Sequence, residues 1–77
     1  MRNVLREYRV AANMTRKELS EKSKVPERTI RAYETGTRDL ASASLLTVYS
    51  LGCVLTEFDD DLEKFFDEVI KNGNQTL

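Results

Sequence analysis

The chain has 77 residues, with twelve Lys/Arg, thirteen Asp/Glu, no histidine and one cysteine. That length gives room for one small domain, marginal in stability because it buries only about 60% of its unfolded-state surface. Without histidine, the single Cys53 excludes an internal disulfide, a zinc site and the usual base of a cysteine nucleophile, so neither an enzyme nor a metal or other cofactor is expected. No apolar run approaches the roughly 18 residues of a membrane span, and the mixed-charge start MRNVLREYRV lacks the apolar core and cleavage site of a signal peptide. A cytoplasmic protein without membrane contact is the expectation. The lack of a staple in so small a chain favours oligomerisation.

The net charge of −1 hides a division. Residues 1–38 carry ten Lys/Arg and five Glu, a net of +5; residues 39–77 carry two Lys and eight Asp/Glu, a net of −6. Two faces with different partners would explain this, as would two ordinary solvated surfaces.

Scarce glycine and proline, and the lack of sustained alternation, predict an all-α domain of five helices over residues 1–71, with a frayed tail over 72–77. The first helix is expected from Arg2 to Ala12, with Val4, Leu5, Tyr8, Ala11 and Ala12 on one stripe. Asn13 follows as a residue suited to left-handed helix termination. The second helix opens at Thr15, where Thr15 and Glu18 have capping-box spacing and Met14 can staple the start. Leu19 and Ser23 are expected inside. Val25 is the buried turn residue and Pro26 opens the third helix. Ile30 and Tyr33 face inward, and Gly36 ends that helix. A loop is expected over Thr37–Ala41. The fourth helix is expected from Ser42 to Leu51, with Leu45, Leu46, Val48 and Tyr49 inside and Gly52 as the stop. The fifth is expected from Leu55 to Lys71.

The segment MTRKELSEKSKVPERTIRAYETGTR, residues 14–38, thus reads as two short basic helices joined by a tight turn. Such a pair can place one helix in the major groove of DNA. On the third helix the exposed positions are Glu27, Arg28, Arg31 and Ala32, with Thr35 near its end; Arg16 and Lys17 lie on the first turn of the second. Arginine reads guanine bidentately, each pair giving about 1–3 kcal/mol of discrimination, and free amides at the start of the second helix favour a phosphate.

These residues carry a resemblance. M-T-R-K-E-L-S, K-V-P, R-T-I-R-A-Y-E-T-G and L-L-T-V-Y-S-L-G resemble the lambda-repressor-like helix-turn-helix family, of Cro/repressor or XRE type. Its pattern is L-T-Q-x-E-L-A, a G-V-S turn, T-I-S-x-Y/W-E-x-G and L-L-x-I-A-x-x-L-G. The likeness runs from about Leu5 to Phe58, and it implies a helix-turn-helix at helices two and three. By position it implies base reading by Arg16, Glu27, Arg28 and Ala32, with Arg31 as a neighbour. It implies phosphate contacts near Thr15, Lys17, Thr37 and Arg38. It also implies a partly buried ion pair between Arg9 and Glu34, against the alternative of an exposed pair. The chain departs from the pattern at three places. Arg16 stands where the family has Gln. Glu27 is acidic at a reading position, where it can accept from cytosine, repel phosphate or complement the helix dipole. The fourth helix looks one residue short, with Val54 at the usual cap of the fifth.

In the acidic half, Leu55, Phe58, Leu62, Phe65 and Val69 repeat at helical spacing, widened by Phe66 and Ile70. Part of that stripe closes the core. Phe58, Leu62, Phe65, Phe66 and Val69 are the candidates for contact with a second copy, setting two recognition helices roughly 34 Å apart on a palindrome. The alternative is that all of them pack internally. Asp59, Asp60 and Asp61 are read as solvated, dipole-favourable charges rather than a cation site, and Cys53 as a small buried hydrophobe. The expected function is a sequence-specific double-stranded DNA-binding transcriptional regulator, a homodimeric repressor or controller. The alternative is a protein-interaction module whose acidic, aromatic fifth helix binds a toxin, an anti-repressor or polymerase.

Overall fold

A computed structural model describes residues 3–56 and 61–73. The helices are α1 (Val4–Ala11), α2 (Arg16–Ser23), α3 (Glu27–Thr35), α4 (Leu45–Thr56) and α5 (Asp61–Gly73), with a 3-10 turn at Leu40–Ser42. Among the described residues there is no strand. The fold is all-α, as the sequence predicts.

Each helix sends one fully buried side chain to a common centre: Leu5, Leu19, Ile30, Leu51 and Phe65. Around them lie Val4, Val25, Tyr33, Leu40, Val48, Leu55 and Val69. α4 packs on α2 and α5, α3 on α2, and α1 on α5 and α3. Tyr8 ties α1 to α5 through an edge-to-face contact with Phe65, 5.0 Å between centroids, and a hydroxyl hydrogen bond to Glu68.

Local chemistry sets the ends of α1. Asn3 caps it by accepting from the Arg6 amide at 2.9 Å. Asn13 leaves it at φ +58°, the left-handed conformation expected there. Ala11 and Ala12, expected on the inward stripe, are exposed at the last residue and the C-cap of α1, and only Val4 and Leu5 of that helix are buried. The expected loop at 37–41 is partly ordered as the 3-10 turn, which buries Leu40. Asp39 caps that turn through the Ala41 amide at 3.1 Å.

The fourth and fifth helices differ most from expectation. α4 begins at Leu45, where the Ser44 hydroxyl accepts from the Thr47 amide at 3.2 Å. It runs through Gly52 to Thr56, so Leu55 belongs to α4 and α5 starts at Asp61. Leu45, Leu46 and Tyr49, expected inside, are 75%, 73% and 47% exposed. The buried side is Val48, Leu51, Gly52, Cys53, Leu55 and Thr56. A helix apolar almost all round gives periodicity no side to choose. Gly52 ends nothing: an alanine Cβ there would lie 2.7 Å from Leu62 Cδ1 and 2.8 Å from Phe65 Cδ2. Its missing side chain is what lets α5 approach. The expected positions Phe58, Asp59 and Asp60, and the end of the tail, lie outside the described residues.

Candidate nucleic-acid interface

α2 opens with a complete capping box. The Thr15 hydroxyl accepts from the Glu18 amide at 3.1 Å and the Glu18 carboxylate accepts from the Thr15 amide at 3.0 Å. The bond from the Thr15 backbone, then that from its hydroxyl, hold the Glu18 carboxyl below the usual carboxylate range. Leu19 and Ser23 face the core as expected, and Lys24 then reverses the chain at φ +66°. Val25 is buried under the turn, its amide donating to Ser23 Oγ at 3.2 Å. Pro26 caps α3, and its carbonyl accepts from Thr29 and Ile30 at 2.9 and 3.0 Å. A residue without an amide proton fits there because a helix start has amides to spare.

α3 divides cleanly. Ile30, Tyr33 and Glu34 are buried, Ala32 is half-buried, and Glu27, Arg28, Arg31 and Thr35 are exposed. Helical spacing places Arg28, Arg31, Ala32 and Thr35 along one outward face. Lys17 and Thr15 are exposed at the start of α2. Gly36 ends α3 at φ +85°. The Arg38 amide then bonds back to the Ala32 carbonyl at 3.1 Å, and its guanidinium lies 5.8 Å from the Tyr33 ring centroid, in cation–π range. Thr37 is exposed and shares a 3.2 Å hydroxyl contact with Thr35.

The inner side of α3 is anchored by a buried carboxylate. Glu34, with a side chain 0% exposed, is gripped by Arg9 through Nε at 2.7 Å and Nη2 at 3.0 Å. Arg9 Nη1 also donates to the Met14 carbonyl at 2.8 Å. The Glu34 bond, opposed by desolvation, raises the Arg9 pKa above its usual value. A buried charge needs this full pairing, since an unpaired one would cost several kcal/mol. Arg16 joins the same carboxylate, Nε to Oε1 at 3.2 Å, while its side chain stays 33% exposed. The sequence predicts Arg16 at the DNA and Glu34 in a partly buried pair with Arg9; the structure joins all three.

Two contributors escaped the sequence reading. Asn3 Nδ2 donates to the Tyr33 and Glu34 carbonyls at 2.9 and 3.1 Å, so it caps the start of α1 and the end of α3 together. An Asn directly before an apolar stripe is a readable N-cap, but its second role needs the tertiary fold. Lys24 lines a shallow groove beside the turn with Arg38, Ser42, Ser44 and Thr47. Nothing in the sequence marks it as the residue of positive φ.

Of the candidates for contact with a second copy, Phe65 and Val69 are core residues, 0% and 4% exposed, and have no surface to offer. Leu62 is half-buried against Gly52. The exposed apolar residues of α4 and α5 are instead Leu45, Leu46, Tyr49 and Ile70, with the half-buried Phe66 6.5 Å from Tyr49. The inward sides of both helices were used up by the core. Cys53 is buried, as a small hydrophobe would be. Among the described residues no His/Cys/Asp/Glu cluster has metal-holding geometry, and no helix is long and apolar enough to cross a membrane.

The arrangement is that of a DNA-binding helix-turn-helix: a capped support helix, a turn pinned by a buried valine, and a recognition helix with a polar, basic outer face. A family model described as helix-turn-helix matches residues 5–51. The chain belongs to the lambda-repressor-like, XRE-type helix-turn-helix family, a family of DNA-binding regulators. Searches of curated proteins and of solved structures give no match.

Proposed function

We propose that this chain is a sequence-specific regulator of transcription, a cytoplasmic repressor or controller that binds a palindromic operator as a homodimer. The observation that carries the reading is the outer face of α3. Arg28 and Arg31 are exposed on a helix fixed at its end by Asn3 and Glu34, so the face is presented without prior ordering. In this reading Arg16, Glu27, Arg28, Arg31 and Ala32 face base edges, while Thr15, Lys17, Thr37 and Arg38 meet phosphates. Dimerisation uses the apolar surface of Leu45, Tyr49, Phe66 and Ile70.

Selection of bound duplexes from a random pool tests this. The expected product is a palindromic consensus with half-sites about 34 Å apart. Arg28→Ala should relax preference at one base pair per half-site, and Lys17→Ala should weaken all sequences alike. An asymmetric consensus would sink the dimer. Failure to enrich any duplex would favour the second reading, in which the same apolar surface on α4 and α5 receives a protein partner.

A further inference from the structure

We propose that Glu34 is a positioning residue for DNA docking: it holds Arg16 in a fixed pose from which the rest of that guanidinium meets the nucleic acid. The proposal rests on the DNA-binding reading. A guanidinium has five N–H donors in a rigid fork. Arg9 commits all three of its nitrogens to the fold, to both Glu34 oxygens and the Met14 carbonyl. Arg16 commits only Nε, its innermost nitrogen. Both of its Nη groups are without a protein partner among the described residues, and the side chain is one-third exposed.

The charges favour the same division of labour. Glu34 is fully buried and held bidentately by Arg9, so it cannot follow a moving partner. One carboxylate between two guanidiniums leaves a net positive charge, and most of what reaches solvent lies on Arg16, the first residue of α2, 33% exposed against 13% for Arg9. That position is next to the exposed Thr15 and Lys17. A long side chain normally gives up rotamer freedom when it binds; one already tethered through Nε gives up less. The four remaining N–H donors are the terminal ones that form bidentate contacts with a phosphate or a guanine edge. Arginine, unlike glutamine or lysine, can spend one nitrogen on an anchor and still present a fork. The position where this chain departs from its family's glutamine is therefore the one the buried carboxylate orders.

The test is a double-mutant cycle, with affinity measured by fluorescence anisotropy on a duplex selected by the wild-type chain, or on a random-sequence duplex if selection gives none. Thermal unfolding of every variant is followed in parallel. Glu34→Gln should lower affinity about tenfold in the wild-type background, the scale of a hydrogen bond to a charged group. In an Arg16→Ala background the loss should be several-fold smaller, the remainder being what Glu34 does for α3 through Arg9. Equal losses in both backgrounds would assign Glu34 a purely structural role and overturn the proposal. If Glu34→Gln does not fold, Arg16→Lys decides. It keeps the charge but lacks the fork, and should lose nearly as much affinity as Arg16→Ala; full retention would overturn the proposal. No binding of either duplex by the wild type would remove the DNA reading itself, a result distinct from binding without coupling.

Discussion

Replacing Gly52 with alanine adds one methyl group where Leu62 and Phe65 of α5 press against α4. The backbone accepts it, since Gly52 sits within α4 and not at a positive φ. By helix propensity alone the change should stabilise by about 1 kcal/mol. The neighbours reverse that sign. The new Cβ would stand 2.7 Å from Leu62 Cδ1, 2.8 Å from Phe65 Cδ2 and 3.2 Å from Phe65 Cε2, where carbon atoms prefer about 3.5–4.0 Å. Leu62 is half-buried and can swing, but the Phe65 ring is fully enclosed. Overpacking of this kind costs about 1–3 kcal/mol, and an enclosed ring belongs at the upper end. The net expectation is a loss of about 1–2 kcal/mol, which in a domain of this size lowers Tm by about 5–15 °C. Thermal unfolding followed by circular dichroism measures it. Leu62→Ala in the same background should recover part of the loss by removing the shorter contact, giving a coupling of about 0.5–1 kcal/mol. A Gly52→Ala protein as stable as wild type, or more so, would refute the close-packing account of α4 and α5.

Other substitutions probe the frame of the recognition helix. Asn3→Ala removes a helix cap and two bonds to the end of α3, and should cost about 2 kcal/mol in chemical denaturation; a loss under about 0.5 kcal/mol would contradict the double cap. Lys24→Gly should raise stability by about 1 kcal/mol by relieving a left-handed backbone that side chains disfavour, so a lower Tm would count against the turn geometry. Because the folded-state pKa of Glu18 is lowered, its capping contribution is present above the unfolded value, near 4.5, and is lost as pH falls through the folded value. Glu18→Gln keeps the box but cannot titrate, so the fall of Tm with acid should be shallower in that variant.

What was legible in the sequence follows from how local each signal is. The capping box, the buried Val25, the left-handed Asn13 and the glycine end of α3 are set by a few neighbouring residues, and all appear as read. The pattern of α4 is not local: Leu45, Leu46, Val48, Tyr49 and Leu51 offer several apolar sides, and only the packing of α2 and α5 selects one. Gly52 illustrates the same limit. A glycine after an apolar run reads as a stop, and its use as a groove for Leu62 and Phe65 depends on a helix ten residues further along. In the interface, the outward Glu27, Arg28, Arg31 and Thr35 follow from spacing, while Ala32, expected exposed, is half-buried. The shared use of Glu34 by Arg9 and Arg16 does not follow from spacing, since it joins three elements.

The central claim is that the basic surface of α2 and α3 binds duplex DNA, and the salt dependence of that binding tests it most directly. With about 6–10 phosphate contacts, affinity should fall by about 10³–10⁵ between about 50 and about 200 mM salt, the logarithm declining linearly. An affinity that does not change over that range, or no binding of any duplex at the lower salt, would contradict the account.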